Sequence, residues 1–140
     1  MPEINIPDFE NVELFTLLDP GVYTFNIQEL PTVEAAKSSG KPKLCFKAVV
    51  VDGPPQKQAG GENGTNPAGR MQYVSIPYEM KSVIKQLLIA TGLLRRDDKS
   101  SPMAKGQFNS DILQGTTFRA TLVPNMYDGN ESRKIGKYLY

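Results

Sequence analysis

The chain has 140 residues, 39% apolar and 22% charged, the balance of one soluble globular domain with a single core. No apolar run reaches the roughly 18–20 residues that a membrane-spanning helix needs. The start, Met1-Pro2-Glu3-Ile4, lacks the basic and apolar regions of a signal peptide, so a cytoplasmic protein is expected. With no histidine and one cysteine, Ser-His-Asp and Cys-His nucleophiles and ordinary zinc sites are excluded. Mg²⁺ sites built from carboxylates alone survive that filter. Asp97-Asp98, Asp111 and Asp128, however, are scattered through turn-like contexts. The expectation is therefore no catalytic residue, no metal site and no cofactor. Cys45 lies in a strand-like run and reads as structural filler.

The net charge of +1 hides a segregation. Residues 1–36 carry seven acids and no Lys or Arg, whereas 37–140 hold all 16 basic residues against eight acids. This suggests an acidic N-terminal arm, 1–20, on a basic body, 21–140.

The arm has no clear period, and Asp19-Pro20-Gly21 closes it with a turn signal. A first strand is read at Val22–Glu29, with Tyr23, Phe25 and Ile27 on one side. Ala35–Pro42 reads as a flexible basic loop. A second strand, Lys43–Asp52, sets Leu44, Phe46, Ala48 and Val50 against Lys43, Cys45, Lys47 and Val49. Gly53–Arg70 is rich in Gly, Pro, Gln, Asn and Ala and is expected to be a mobile loop. A third strand, Met71–Ile76, alternates Tyr73 and Ser75 with Val74 and Ile76.

An amphipathic helix follows at about Pro77 to Gly92, its stripe formed by Met80, Val83, Ile84, Leu87 and Leu88, with Lys81 and Lys85 facing out. Pro77 suits a first turn and Gly92 a C-terminal stop. Residues 95–107 read as loop and Asn109–Leu113 as one helical turn. The fourth strand, Thr117–Val123, buries Phe118, Ala120 and Leu122. Tyr127-Asp128-Gly129-Asn130 is a hairpin signal. The fifth strand, Arg133–Leu139, is read with Ile135 and Leu139 inward, or with Lys134, Tyr138 and Tyr140 outward.

Three strands, a helix and two strands is the order of an OB-fold, so the expected architecture is mainly β: a five-stranded barrel with one helix between strands 3 and 4. In that barrel the face of strands 2 and 3 and its flanking loops bind single strands or sugars. Aromatic side chains there stack on bases, and Lys or Arg neutralise phosphates. The candidate nucleic-acid-binding residues are Lys43 and Lys47 on strand 2, Tyr73 on strand 3 and Arg70 at its entrance. Lys37 and Lys41 join them from the loop before strand 2, and Tyr127, Arg133 and Lys134 from the last hairpin. Tyr23, Phe25, Phe46 and Phe118 alternate with polar neighbours and read as core. Lys43 and Lys47 also suit a plainer role, as charged gatekeepers on an apolar strand.

The segments PGVYTFNIQE, SGKPKLCFKAVVVDGPP, LLIATGLL and DILQGTTFRATLVPNMYDGNESRKIGKY resemble the OB-fold single-stranded DNA-binding proteins of tailed bacteriophages. The resemblance covers most residues from Pro20 onward. It implies a non-catalytic protein that binds single-stranded DNA with little sequence preference, supporting phage replication or recombination in the host cytoplasm. Replication or recombination proteins are the implied partners, no membrane is involved, and the oligomeric state, a dimer included, is left open. Many bacterial single-strand binders end in an acidic tail that recruits partners, whereas this sequence ends Lys137-Tyr138-Leu139-Tyr140 and has its acidic segment at the N-terminus. The alternative is a protein–protein module on the same barrel, such as a recombination accessory or an inhibitor of a host factor.

Overall fold

In a computed structural model, which describes residues 2–7, 17–37, 40–56 and 66–140, the described residues form one antiparallel sheet of six strands with one α-helix. The strands are β1 (Gly21–Asn26), β2 (Thr32–Ala35), β3 (Pro42–Asp52), β4 (Met71–Pro77), β5 (Thr117–Tyr127) and β6 (Asn130–Leu139). The helix α1 spans Lys81–Ala90, and short 3₁₀ turns lie at Met103–Lys105 and Ser110–Leu113. No helix among the described residues is long and apolar enough to cross a membrane.

The eleven-residue β3 organises the sheet. One edge pairs with β4, Lys43 opposite Pro77 through Val49 opposite Met71. The other edge pairs first with β2 and then, at Val49–Asp52, with β1. β1 continues to β5, and β5 pairs with β6 in the longest hairpin. Two register shifts bend the sheet, at Thr24/Phe25 against β3 and at Thr121/Leu122 against β6. At the second, a Cβ on Gly136 would stand 2.9 Å from Val123 Cγ1, so the bulge requires glycine. The outer edges of β4 and β6 form no ladder; the Gln72 side-chain amide donates to the Arg133 carbonyl between them at 3.0 Å. The sheet is thus open, and the expected closed five-stranded barrel is corrected in both strand number and closure.

The concave side is filled by alternate residues. Phe118 is central, its ring 5.4 Å from Phe25, 5.5 Å from Tyr138 and edge-on to Phe46 at 6.2 Å. Leu44, Ala48, Val50, Val74, Ile76, Ala120 and Leu122 surround it, with Leu87 and Leu88 of α1 and Leu113 closing the side. Burying each of these large side chains stabilises the fold by about 1.5–3 kcal/mol.

The boundaries differ from expectation where the ladder overrides local signals. Pro77 ends β4 instead of opening the helix, and Tyr78 N–H still donates to the Pro42 carbonyl, so α1 starts four residues later. Gly92 does stop the helix, at φ +81°. The extra strand β2 was hidden because all four of its side chains are exposed and show no alternation of burial. Tyr138, which the sequence leaves open between core and surface, is core. The ends of the 53–70 segment are packed. Gln56 is buried, donating to the Tyr23 hydroxyl at 2.8 Å and accepting from Asp19 N–H at 2.6 Å. Pro67 is also buried, and residues 57–65 lie outside the described residues.

Candidate nucleic-acid interface

Strict alternation along β3 sets Lys43, Cys45, Lys47 and Val49 on the outer face, opposite Leu44, Phe46, Ala48 and Val50. The β4 ladder then brings Tyr73 opposite Lys47, Ser75 opposite Cys45 and Met71 opposite Val49. The β2 ladder brings Glu34 opposite Lys43 and Thr32 opposite Cys45. The result is a three-strand patch with β3 in the middle and Tyr73, 54% exposed, on β4 at its edge, while Val74 and Ile76 point inward. The expected register of Tyr73, Lys43 and Lys47 holds.

Tyr73 reaches across β3. Its hydroxyl donates to Glu34 Oε2 at 3.2 Å and lies beside the Cys45 thiol. Cys45 is 1% exposed although it belongs to the outer face, with Sγ 3.5 Å from Ser75 Oγ, so it is packed between strands and is not part of the main core. Hydrogen bonding from Cys45 and then from Tyr73, helped by the charge of Lys43, holds the Glu34 carboxyl below its usual value. The contact with Cys45, burial and the neighbouring carboxylate together push the Tyr73 phenol up.

The charge segregation of the sequence does not survive folding at this patch. Glu29 sits 3.5 Å from Lys47, and Glu34 faces Lys43. Lys41 pairs with Glu79 at 3.4 Å. Both ion pairs are well exposed, and such pairs contribute about 0–1 kcal/mol, little enough for a phosphate to replace the carboxylate.

Lys37 and Lys41 belong to the β2–β3 hairpin, which is closed by Ala36 N–H to the Lys41 carbonyl at 2.8 Å; Ser38 and Ser39 lie outside the described residues. Arg70 precedes β4, its carbonyl accepting from Val50 N–H, and its charge acts on the Tyr23 phenol, away from Tyr73. Lys134 is exposed on β6. The last hairpin turns through Asp128 and Gly129, both at positive φ, but the Tyr127 side chain lies outside the described residues.

Arg133 is a correction. It is buried, with Nε donating to the Leu18 carbonyl at 2.6 Å and Nη1 to Glu131 Oε1 and the Ser132 carbonyl, both at 3.1 Å. A guanidinium fixed this way anchors the end of the N-terminal segment to β6 and cannot reach a phosphate. The patch therefore unites Lys43, Lys47 and Tyr73, while Lys37, Lys41, Arg70 and Lys134 occupy other segments. Sequence reasoning missed Glu29 and Glu34 because their approach depends on β2, which carries no burial signal. Among the described residues, no three Asp, Glu or Cys side chains gather closely enough to hold a metal ion.

No protein-family model matches the chain, and no curated protein matches it significantly.

Proposed function

We propose that the protein is a non-catalytic, OB-fold single-stranded DNA-binding protein with little sequence preference, supporting phage DNA replication or recombination. The observation that carries this reading is an exposed tyrosine, Tyr73, opposite Lys47 on the outer face of β3 and β4, with Lys43 on the same face of β3. The pairings β1–β3, β3–β4, β1–β5 and β5–β6 support it, since they fit strands 1 to 5 of a partly open barrel with β2 inserted between the first two. The phage-family resemblance of the sequence points the same way.

Tyr73 is the base-stacking platform, because every base offers a π-face. Its bond to Glu34 fixes the ring across the patch before a strand arrives, which lowers the ordering cost of binding. Lys43 and Lys47 take the phosphates, exchanging carboxylate partners for nucleic acid, while Lys41, Lys37 and Lys134 extend the positive field at the margins. The test is anisotropy titration of a labelled thymine oligonucleotide against the protein and its Lys43→Ala/Lys47→Ala variant over a salt series. For a single strand each phosphate contact contributes about 0.7 to the log–log salt slope, so the double variant should lose about 1.4. An unchanged slope would remove these lysines from the site.

A further inference from the structure

A second cleft lies on the other side of the sheet, between α1 and the 3₁₀ segments. Its volume is about 740 Å³, within the range of ligand sites. Leu44, Ile84, Leu88, Met103 and Phe108 make an apolar wall, and Leu44 points opposite to Lys43 on β3, which separates this cleft from the Tyr73 patch. Lys81, Lys85 and Lys105 stand around it. None of the residues lining the cleft is acidic, and among the described residues none of these three ammoniums has an ion-pair partner. Lys81 and Lys85 are an i, i+4 like-charge pair, and Lys81 occupies the first turn of α1, the positive end of the helix dipole. Three exposed cations thus stand around an apolar hollow with no carboxylate among its lining residues.

We propose that this cleft docks an extended acidic peptide segment of a partner protein, carrying a bulky apolar side chain. Charge complementarity selects the acid, and the aliphatic wall selects the apolar anchor. The spacing agrees: Cβ atoms at i and i+4 on a helix are about 5–6 Å apart. Carboxylates two residues apart on an extended peptide lie about 7 Å apart on one side, with the residue between them pointing to the other. A nucleic acid fits less well, because Tyr78 is the one exposed aromatic side chain among the lining residues, Phe108 is half-buried, and the rest of the apolar wall carries no ring on which successive bases could stack.

The test uses the full chain, a labelled octapeptide alternating aspartate with phenylalanine and leucine, its asparagine counterpart and a labelled thymine oligonucleotide. Methyl NMR of the methionines reports location, since Met103 lines the cleft and Met71 lies on the outer sheet face. The aspartate peptide should bind and shift Met103 but not Met71. The asparagine peptide and the Lys81→Ala/Lys85→Ala/Lys105→Ala variant should each weaken binding by about tenfold or more. These lysines are exposed, so the variant should keep its fold and its affinity for the oligonucleotide. No peptide binding, equal binding of the asparagine peptide, or an unaffected triple variant overturns the proposal. So does displacement of the peptide by the oligonucleotide at Met103, which would make the cleft part of a nucleic-acid site. A failure of oligonucleotide binding alone leaves the peptide result standing and counts only against the DNA-binding reading.

Discussion

Replacing Arg133 with methionine separates an anchoring arginine from a phosphate-binding one. In the folded chain its Nε bond to the Leu18 carbonyl is short, at 2.6 Å, and its side chain is almost fully covered, while its partner Glu131 is 53% exposed. A hydrogen bond to a charged group contributes about 1.5–3 kcal/mol. The Glu131 pair adds at most about 1 kcal/mol, because one partner is open to water. Against these, methionine escapes the cost of burying a guanidinium, and it fills similar space. The net expectation is a loss of about 2 kcal/mol, which for a domain of this size lowers Tm by about 6–10 °C. Urea unfolding followed by circular dichroism would measure the first quantity and thermal melting the second. The salt dependence of oligonucleotide binding by the folded variant should match that of the parent. A variant of parental stability whose salt slope falls by about 0.7 would show that Arg133 contacts a phosphate and that its bond to Leu18 does not persist in solution.

Tyr73→Ala should keep the fold and cost about 1–3 kcal/mol of oligonucleotide affinity with the salt slope unchanged, whereas Tyr73→Phe should keep most of the affinity. Unfolding of Tyr73→Ala would mean that the β4 register is wrong. Gly53→Ala would place a Cβ 2.4 Å from Cδ1 of Tyr23, a ring held by Gln56 and the Asp19 carbonyl, so a loss of about 3 kcal/mol is expected in chemical denaturation. Gln56→Leu leaves the Asp19 N–H and the Tyr23 hydroxyl short of a partner and should cost about 2–3 kcal/mol in the same assay. Burial pushes the phenols of Tyr23 and Tyr138 up from their ordinary value. Because the unfolded chain releases those protons first, stability is full below about pH 10 and declines as pH rises beyond it. Absorbance at alkaline pH should show these two phenols ionising only as circular dichroism reports unfolding.

Alternation made the outer face legible from the sequence. Lys43, Lys47 and Tyr73 sit in runs where every second residue is apolar, and a one-residue slip would have exposed Phe46 and Val74. Gly92 and the Asp128-Gly129 turn were legible for a local reason, their need for positive φ. What could not be read depended on distant partners. Thr32–Ala35 is a strand only because β3 offers it an edge, and without that strand Glu34 could not be placed beside Lys43 and Tyr73. Arg133 looked like one more hairpin cation, since its partner, the Leu18 carbonyl, is 115 residues away. Gln56 lay in a stretch whose composition argues for a loop, yet one amide satisfied on both sides is enough to bury it.

The most direct measurement is a gel-shift titration of the intact chain with matched single- and double-stranded oligonucleotides at two salt concentrations. The expected result is tighter binding of the single strand, with affinity falling clearly as salt rises. Equal affinity for the duplex, or binding that salt leaves unchanged, would contradict a single-strand site built on Tyr73, Lys43 and Lys47.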